Sequence, residues 1–181
     1  MNKRYLIEST KSLKDISCYI YPFPTGRLYL FGDNDYLRLV LWGNEILKGD
    51  HTDEIFNNHI TREIGIAIEF IDRFLLGENG SLPNLDLNSF TDREKFIYQE
   101  LMKVSFGETI SYGRLSMMAG GRNAARFVGN TMAKNHFPIF IPCHRVIKAD
   151  GTIGNYSSGR WVKLFLLEHE RVICEKRKAN G

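Results

Sequence analysis

Cys143-His144-Arg145, directly after Phe137-Pro138-Ile139-Phe140-Ile141-Pro142, has the residue types of a nucleophilic site. A thiolate is a strong nucleophile and a protonated thiol a poor one, so such a site needs a group that takes the thiol proton. His144 can take it, directly or through a water. Arg145 adds positive charge nearby and is expected to lower the thiol pKa. The same residues also fit a buried structural cysteine, because free Cys is among the most buried residue types. A metal site is not expected, since Cys143 and His144 lack a second Cys/His pair at finger-like spacing. A working base must itself be oriented, and a carboxylate from elsewhere would do this. Glu108, Asp150, Glu168 and Glu170 are the candidates in this half, and spacing does not choose among them.

The elements that must position these groups read as a mixed α/β chain. Ser17 to Tyr21, Arg27 to Phe31 and Tyr36 to Trp42 are short and rich in β-formers, and Gly32-Asp33-Asn34-Asp35 supplies turn chemistry for a hairpin. Ile60, Ile64, Ala67, Ile68, Ile71, Phe74 and Leu75 recur at helical spacing up to Gly77, which predicts one amphipathic helix covering a small sheet. Residues 77–90 are rich in turn formers, which suggests a first domain at 1–80, a linker at 81–91 and a second domain at 92–181. Thr91-Asp92-Arg93-Glu94 is a capping box that opens a helix carrying Phe96, Ile97, Leu101 and Val104. Ser111 is an N-cap residue for a short helix ending at Gly120-Gly121. In residues 123–134, Ala125, Val128 and Met132 form an apolar stripe, with Arg122, Arg126 and Asn130 opposite. Two short helices around a Gly turn outline a helix-turn-helix, although many helical hairpins share a basic outer face. A last amphipathic helix runs from Trp161 to Leu167 and is ended by Glu168-His169-Glu170.

Charge is unevenly spread. Residues 93–181 hold 15 Lys and Arg against 7 Asp and Glu, while residues 1–92 hold 9 against 14. A basic half facing a polyanion is one reading, and an unevenly solvated surface is the other. No apolar run is long enough to span a bilayer, and the N-terminus lacks the sustained apolar core of a signal peptide. Cys18, Cys143 and Cys174 are odd in number and widely spaced, which fits free thiols in a reducing interior. An intracellular protein is therefore expected, and Lys176-Arg177-Lys178 is too short to mark a nuclear signal.

Ile141-Pro142-Cys143-His144-Arg145-Val146 resembles the active-site signature of the O6-alkylguanine-DNA alkyltransferases. Phe106 to Tyr112, Ala124 to Gly129, Gly154 to Ser157 and Leu166 to Glu170 resemble further motifs of that family, in the same order, so the match spans roughly residues 92–171. The resemblance implies a small N-terminal ribonuclease H-like sheet domain and a C-terminal, mostly helical winged helix-turn-helix domain. It implies stoichiometric, irreversible transfer of an alkyl group from O6-alkylguanine in double-stranded DNA to the protein's own Cys143. It needs no cofactor, membrane or partner subunit, and a monomer is expected.

Roles carry over residue by residue. Cys143 matches the alkyl acceptor, His144 the base acting through a water, and Glu170 the carboxylate that orients it. Asn135 matches a residue that hydrogen-bonds near the thiol. Tyr112 matches the tyrosine that helps turn the nucleotide out and donates to the departing guanine. Arg126 matches the finger that fills the gap in the duplex, with Arg122, Asn130 and Ser111 also expected at the DNA. Val146, Tyr156, Ser157 and Ser158 are expected at the substrate pocket. Ser158 stands where the family often has Gly, so weaker reaction with bulky groups such as benzyl is expected. With Cys18, His51 and His59 as the only Cys and His of the first half, no zinc site is expected there. Non-enzymatic relatives that bind alkylated DNA replace the Cys, commonly with Trp, so Cys143 argues against that reading. Regulators that sense methylation carry additional domains, for which 181 residues leave no room. A thiol enzyme acting on small molecules fits the basic half and the helical pair poorly.

Overall fold

A computed structural model describes residues 16–43, 59–118 and 124–180. The chain divides into two compact units, Met1–Asp72 with Gly80–Asp86, and Arg73–Asn79 with Leu87–Gly181.

In the first unit, β1 (Ser17–Phe23), β2 (Gly26–Gly32) and β3 (Leu37–Trp42) form an antiparallel meander in that order. Leu28, Leu30, Val40 and Trp42 are buried on one face, and Cys18, Phe31, Leu39 and Leu41 on the other. Burial on both faces goes beyond the single covered face that one amphipathic helix implies. The helix α1 (Arg62–Leu76) buries Ile64, Ala67 and Ile71, and Tyr21 Oη on β1 donates to Asp72 at 2.5 Å. Ile60, counted in its apolar stripe, precedes the helix and is exposed.

The expected linker is held in the fold by its backbone. Leu37 N–H donates to Asn84 O (2.7 Å), Asp86 N–H to Leu37 O (3.0 Å), and Asn84 N–H to the buried Glu63 carboxylate (2.7 Å). Phe90, in the second unit, is buried edge-on against Tyr98. Asn84 and Asp86 thus pair with the first unit and Phe90 packs in the second.

The second unit opens with α2 (Asp92–Met102), whose capping box is present as read: Thr91 Oγ1 accepts from Glu94 N–H and Glu94 returns to Thr91 N–H. Its Tyr98 is fully buried and donates to Thr131 O at 2.7 Å. That bond ties α2 to α4 (Ala125–Ala133), the partner of α3 (Tyr112–Met118). Gly120-Gly121 and Arg122 lie outside the described residues, as does His51. Val128 and Met132 of α4 are buried as expected, but Ala125 is exposed. A short parallel pair, β4 (Ile110–Ser111) and β5 (Val146–Ile147), joins the turn at Cys143–Arg145 to the start of α3.

The last helix, α5 (Arg160–Asn180), runs well past the predicted end at Glu168–Glu170. The apolar stripe fades there, but Arg171 continues the helix by pairing with Glu168 and Glu175 one turn to either side. Among the described residues, no helix is long and apolar enough to cross a membrane.

Candidate active site

Cys143, His144 and Arg145 form a single 3-10 turn. The loop before it holds backbone strain. Ile139 is buried and sits at φ 76°, in the left-handed region that β-branched residues avoid. Such a residue costs on the order of 1–3 kcal/mol and persists only where its surroundings overdetermine it. Here Asn135 does much of the fixing. Its Nδ2 donates to Ile141 O (2.9 Å) and to Cys143 Sγ (3.0 Å), and its Oδ1 accepts from Phe137 N–H (2.9 Å).

Cys143 faces a cavity of about 600 Å³, lined also by Tyr112, Met132, Lys148, Asn155, Tyr156 and Ser157. Burial pushes the thiol pKa up, while the Asn135 hydrogen bond, Tyr156 and the Lys163 charge oppose it. The thiol thus rests protonated at neutral pH and needs a base. Burial likewise raises the Tyr112 phenol, with Cys143 adding to it, so Tyr112 keeps its proton. The Tyr112 ring lies against Gly154, where a Cβ would stand 2.8 Å from the phenol oxygen.

Glu170 sets the tautomer of His144. His144 Nε2 lies 2.8 Å from Glu170 Oε1, both side chains being buried. Burial alone would raise the Glu170 pKa, but the hydrogen bonds from His144 and Arg145 and the Arg145 charge outweigh it and hold it down to about 2. An ionised carboxylate only accepts, so Nε2 carries the proton and Nδ1 keeps the lone pair. Nδ1 is buried and has no protein partner among the described residues. Burial lowers the His144 pKa and Glu170 only partly offsets it, so the imidazole is neutral and able to accept. Glu170 is itself held from the α2–β4 loop by Gly107 N–H at 2.9 Å. Gly107 has φ 82°, and a side chain there would overlap the sulfur of Cys174.

The matches to known proteins cover this site. The family model described as 6-O-methylguanine DNA methyltransferase, DNA binding domain, matches residues 92–172. A methylated-DNA–protein-cysteine methyltransferase of Mycobacterium leprae is 32% identical over 157 residues, which is 86% of this chain and 93% of the relative. The chain belongs to the methylated-DNA–protein-cysteine methyltransferase family. A Rattus norvegicus member is 48% identical over 100 residues, 55% of this chain, and the match spans about half (47%) of that longer relative. The crystal structure of Mycobacterium tuberculosis O6-methylguanine methyltransferase superposes with a TM-score of 0.74 at 28% identity, covering 87% of this chain and 93% of that one.

In this methyltransferase-family chain, Asn135 and Tyr156 meet the Cys143 thiol, His144 of the same turn pairs with Glu170, and Tyr112 and Ser157 line the cavity. Arg126 and Asn130 are exposed on α4. Ser111 caps α3, its Oγ accepting from Arg114 N–H at 3.1 Å. Two pocket expectations come out differently. Ser158 is buried and does not line the cavity, because the turn into α5 gives Ser157 and Ser158 different surroundings. Val146 is also buried and off the cavity wall, and its carbonyl accepts from Lys163 Nζ at 2.6 Å. Arg145 does not face the thiol: it pairs with Glu170. The cation that acts on Cys143 is Lys163, fully buried on α5. Its signal was available, since Lys163, Leu166 and Glu170 share a helix face at i, i+3 and i+7, and a charge on a buried stripe asks for a partner.

Proposed function

We propose that the protein repairs DNA by direct reversal, moving an alkyl group from O6 of guanine in double-stranded DNA onto Cys143 in a single, irreversible event. The observation that carries this reading is a buried thiol at a cavity wall, in the same turn as a histidine whose free nitrogen is set by Glu170. The thiol proton passes to His144 Nδ1, directly or through a water. Sγ then attacks the alkyl carbon, an S–C bond forms and the C–O6 bond breaks. Tyr112, protonated at rest, passes a proton to the departing guanine and regains one through solvent from His144, so guanine leaves neutral. A thioether offers water no good leaving group, so the protein is consumed.

A stacked guanine cannot present O6 to a recessed sulfur, so the nucleotide must turn out of the duplex at a cost of a few kcal/mol. Exposed Arg126 would fill the gap, with Asn130 and Arg122 beside it at the DNA, and the protein acts as a monomer. The Mycobacterium tuberculosis relative has been solved in complex with DNA, which supports a DNA partner here. The test is intact-protein mass after incubation with duplex DNA containing O6-methylguanine. One added methyl on Cys143, absent in Cys143→Ala, is expected; an unchanged mass would refute the reading. Arg126→Ala should slow repair of duplex DNA more than reaction with the free base.

A further inference from the structure

The sequence puts Arg145 two residues from the thiol, but its hydrogen-bonding groups are spent elsewhere. Nε donates to both Glu170 oxygens (3.1 Å each) and Nη2 to Oε1 (2.9 Å), while Nη1 donates to Val104 O (2.7 Å). With His144 Nε2 and Gly107 N–H, these contacts use the lone-pair sites of the carboxylate. Arg145 thereby ties the acceptor turn to α5 and to the loop after α2. A buried carboxylate with no cation beside it would favour a protonated imidazole, because opposite charge favours the charged form. A protonated His144 could not accept the thiol proton.

We propose that Arg145 is a positioning residue for alkyl transfer: by saturating Glu170 it fixes that carboxylate against His144 Nε2 and keeps it from drawing a second proton onto the imidazole. The proposal rests on the alkyl-transfer reading above. The charged groups facing His144 are Glu170 and Lys163 from α5 and Arg145 from its own turn, with the uncharged edge of Phe74 from α1. Burial and the two cations lower the His144 pKa, and Glu170 alone opposes them. Removing Arg145 takes away one lowering influence and frees the raising one, so the neutral fraction of His144 falls at a given pH and the acid limb of the reaction moves to higher pH.

The test is the single-turnover rate of methylation of Cys143 by duplex DNA containing O6-methylguanine, at saturating DNA and across pH, for the parent protein, Arg145→Gln and Arg145→Lys. Arg145→Gln should be about tenfold or more slower near about pH 6 and should recover much of the deficit near about pH 8.5. Arg145→Lys keeps a cation without the fork and should show a smaller displacement in the same direction. The His144 Cε1–H resonance, followed by NMR, should titrate at higher pH in both. Rates lowered by one constant factor at every pH, with an unmoved resonance, would mean a purely structural ion pair and overturn the proposal. Should Arg145→Gln fail to fold by circular dichroism, Arg145→Lys carries the same two readouts. Absence of methyl transfer in the parent protein would instead refute the underlying reading, with the NMR titration still deciding the Arg145–His144 coupling.

Discussion

Glu170 Oε1 stands 2.8 Å from His144 Nε2, and this contact decides which imidazole nitrogen can work as a base. The two residues are far apart in sequence, and each is buried to within about one per cent. The pair therefore holds one tautomer in place and leaves Nδ1 with its lone pair.

Acid should loosen the fold through this pair. Glu170 titrates lower in the folded state, near about 2, than in the unfolded chain. Its contribution is present above the ordinary carboxylate pKa and is lost as pH falls toward about 2. His144 also titrates lower when folded, so the unfolded chain binds its proton first and stability starts to fall below the ordinary imidazole range. Urea midpoints measured from neutral pH downward should fall in both windows. His144→Gln should flatten the upper one; an unchanged slope would contradict the burial of a neutral His144.

Asn135→Ala removes the donor to Ile141 O and Cys143 Sγ and the acceptor for Phe137 N–H. Leaving these buried groups unpaired should cost on the order of 2–3 kcal/mol in denaturant unfolding. It should also slow methyl transfer, because the donor that favours the thiolate is gone. Asn135→Asp has no N–H to offer and sets a negative charge beside the sulfur, so its thiol should ionise at higher pH still, as read from thiolate absorbance.

Gly154→Ala should strike the reaction and spare the fold. Its methyl would stand 2.8 Å from Tyr112 Oη and 3.2 Å from the ring, pushing the phenol across the cavity. A misplaced catalytic group can cost about a hundredfold in rate. Gly113→Ala is the control, since a Cβ there meets nothing within 4 Å. Equal transfer rates for the two variants would show that Tyr112 does not need its observed position.

Thr91→Ala should separate stability from chemistry. It removes the side-chain half of the α2 capping box and should lower stability by about 1 kcal/mol in a thermal or urea melt, with the methyl-transfer rate unchanged.

Local patterns were legible in the sequence and long-range partners were not. The Thr91–Glu94 box, the three strands, and the Ile64, Ala67, Ile71 stripe depend on neighbours within a few residues, and all appear in the structure. The choice among four carboxylates depends on packing. Glu108 is exposed, Asp150 is bonded to Thr152 and Glu168 to Arg171, which leaves Glu170 on His144. Only the family resemblance had singled it out. The reassignment of Arg145 has the same origin: adjacency in a 3-10 turn sends neighbouring side chains in different directions, so residue 145 meets α5 while residue 143 meets the cavity. The strain at Ile139 left no trace in residue type, because the loop imposes it on a residue that prefers other dihedrals.

Gly107 and Cys174 set an order in which this sequence can change. Gly107 gives its N–H to Glu170 from a left-handed backbone, and any side chain there collides with the Cys174 sulfur. Trimming residue 174 first opens space without disturbing Glu170. Enlarging residue 107 first pushes the α2–β4 loop away from α5 at the Glu170 carboxylate. The two positions are thus epistatic, and mutational paths through this corner of the protein run in one direction.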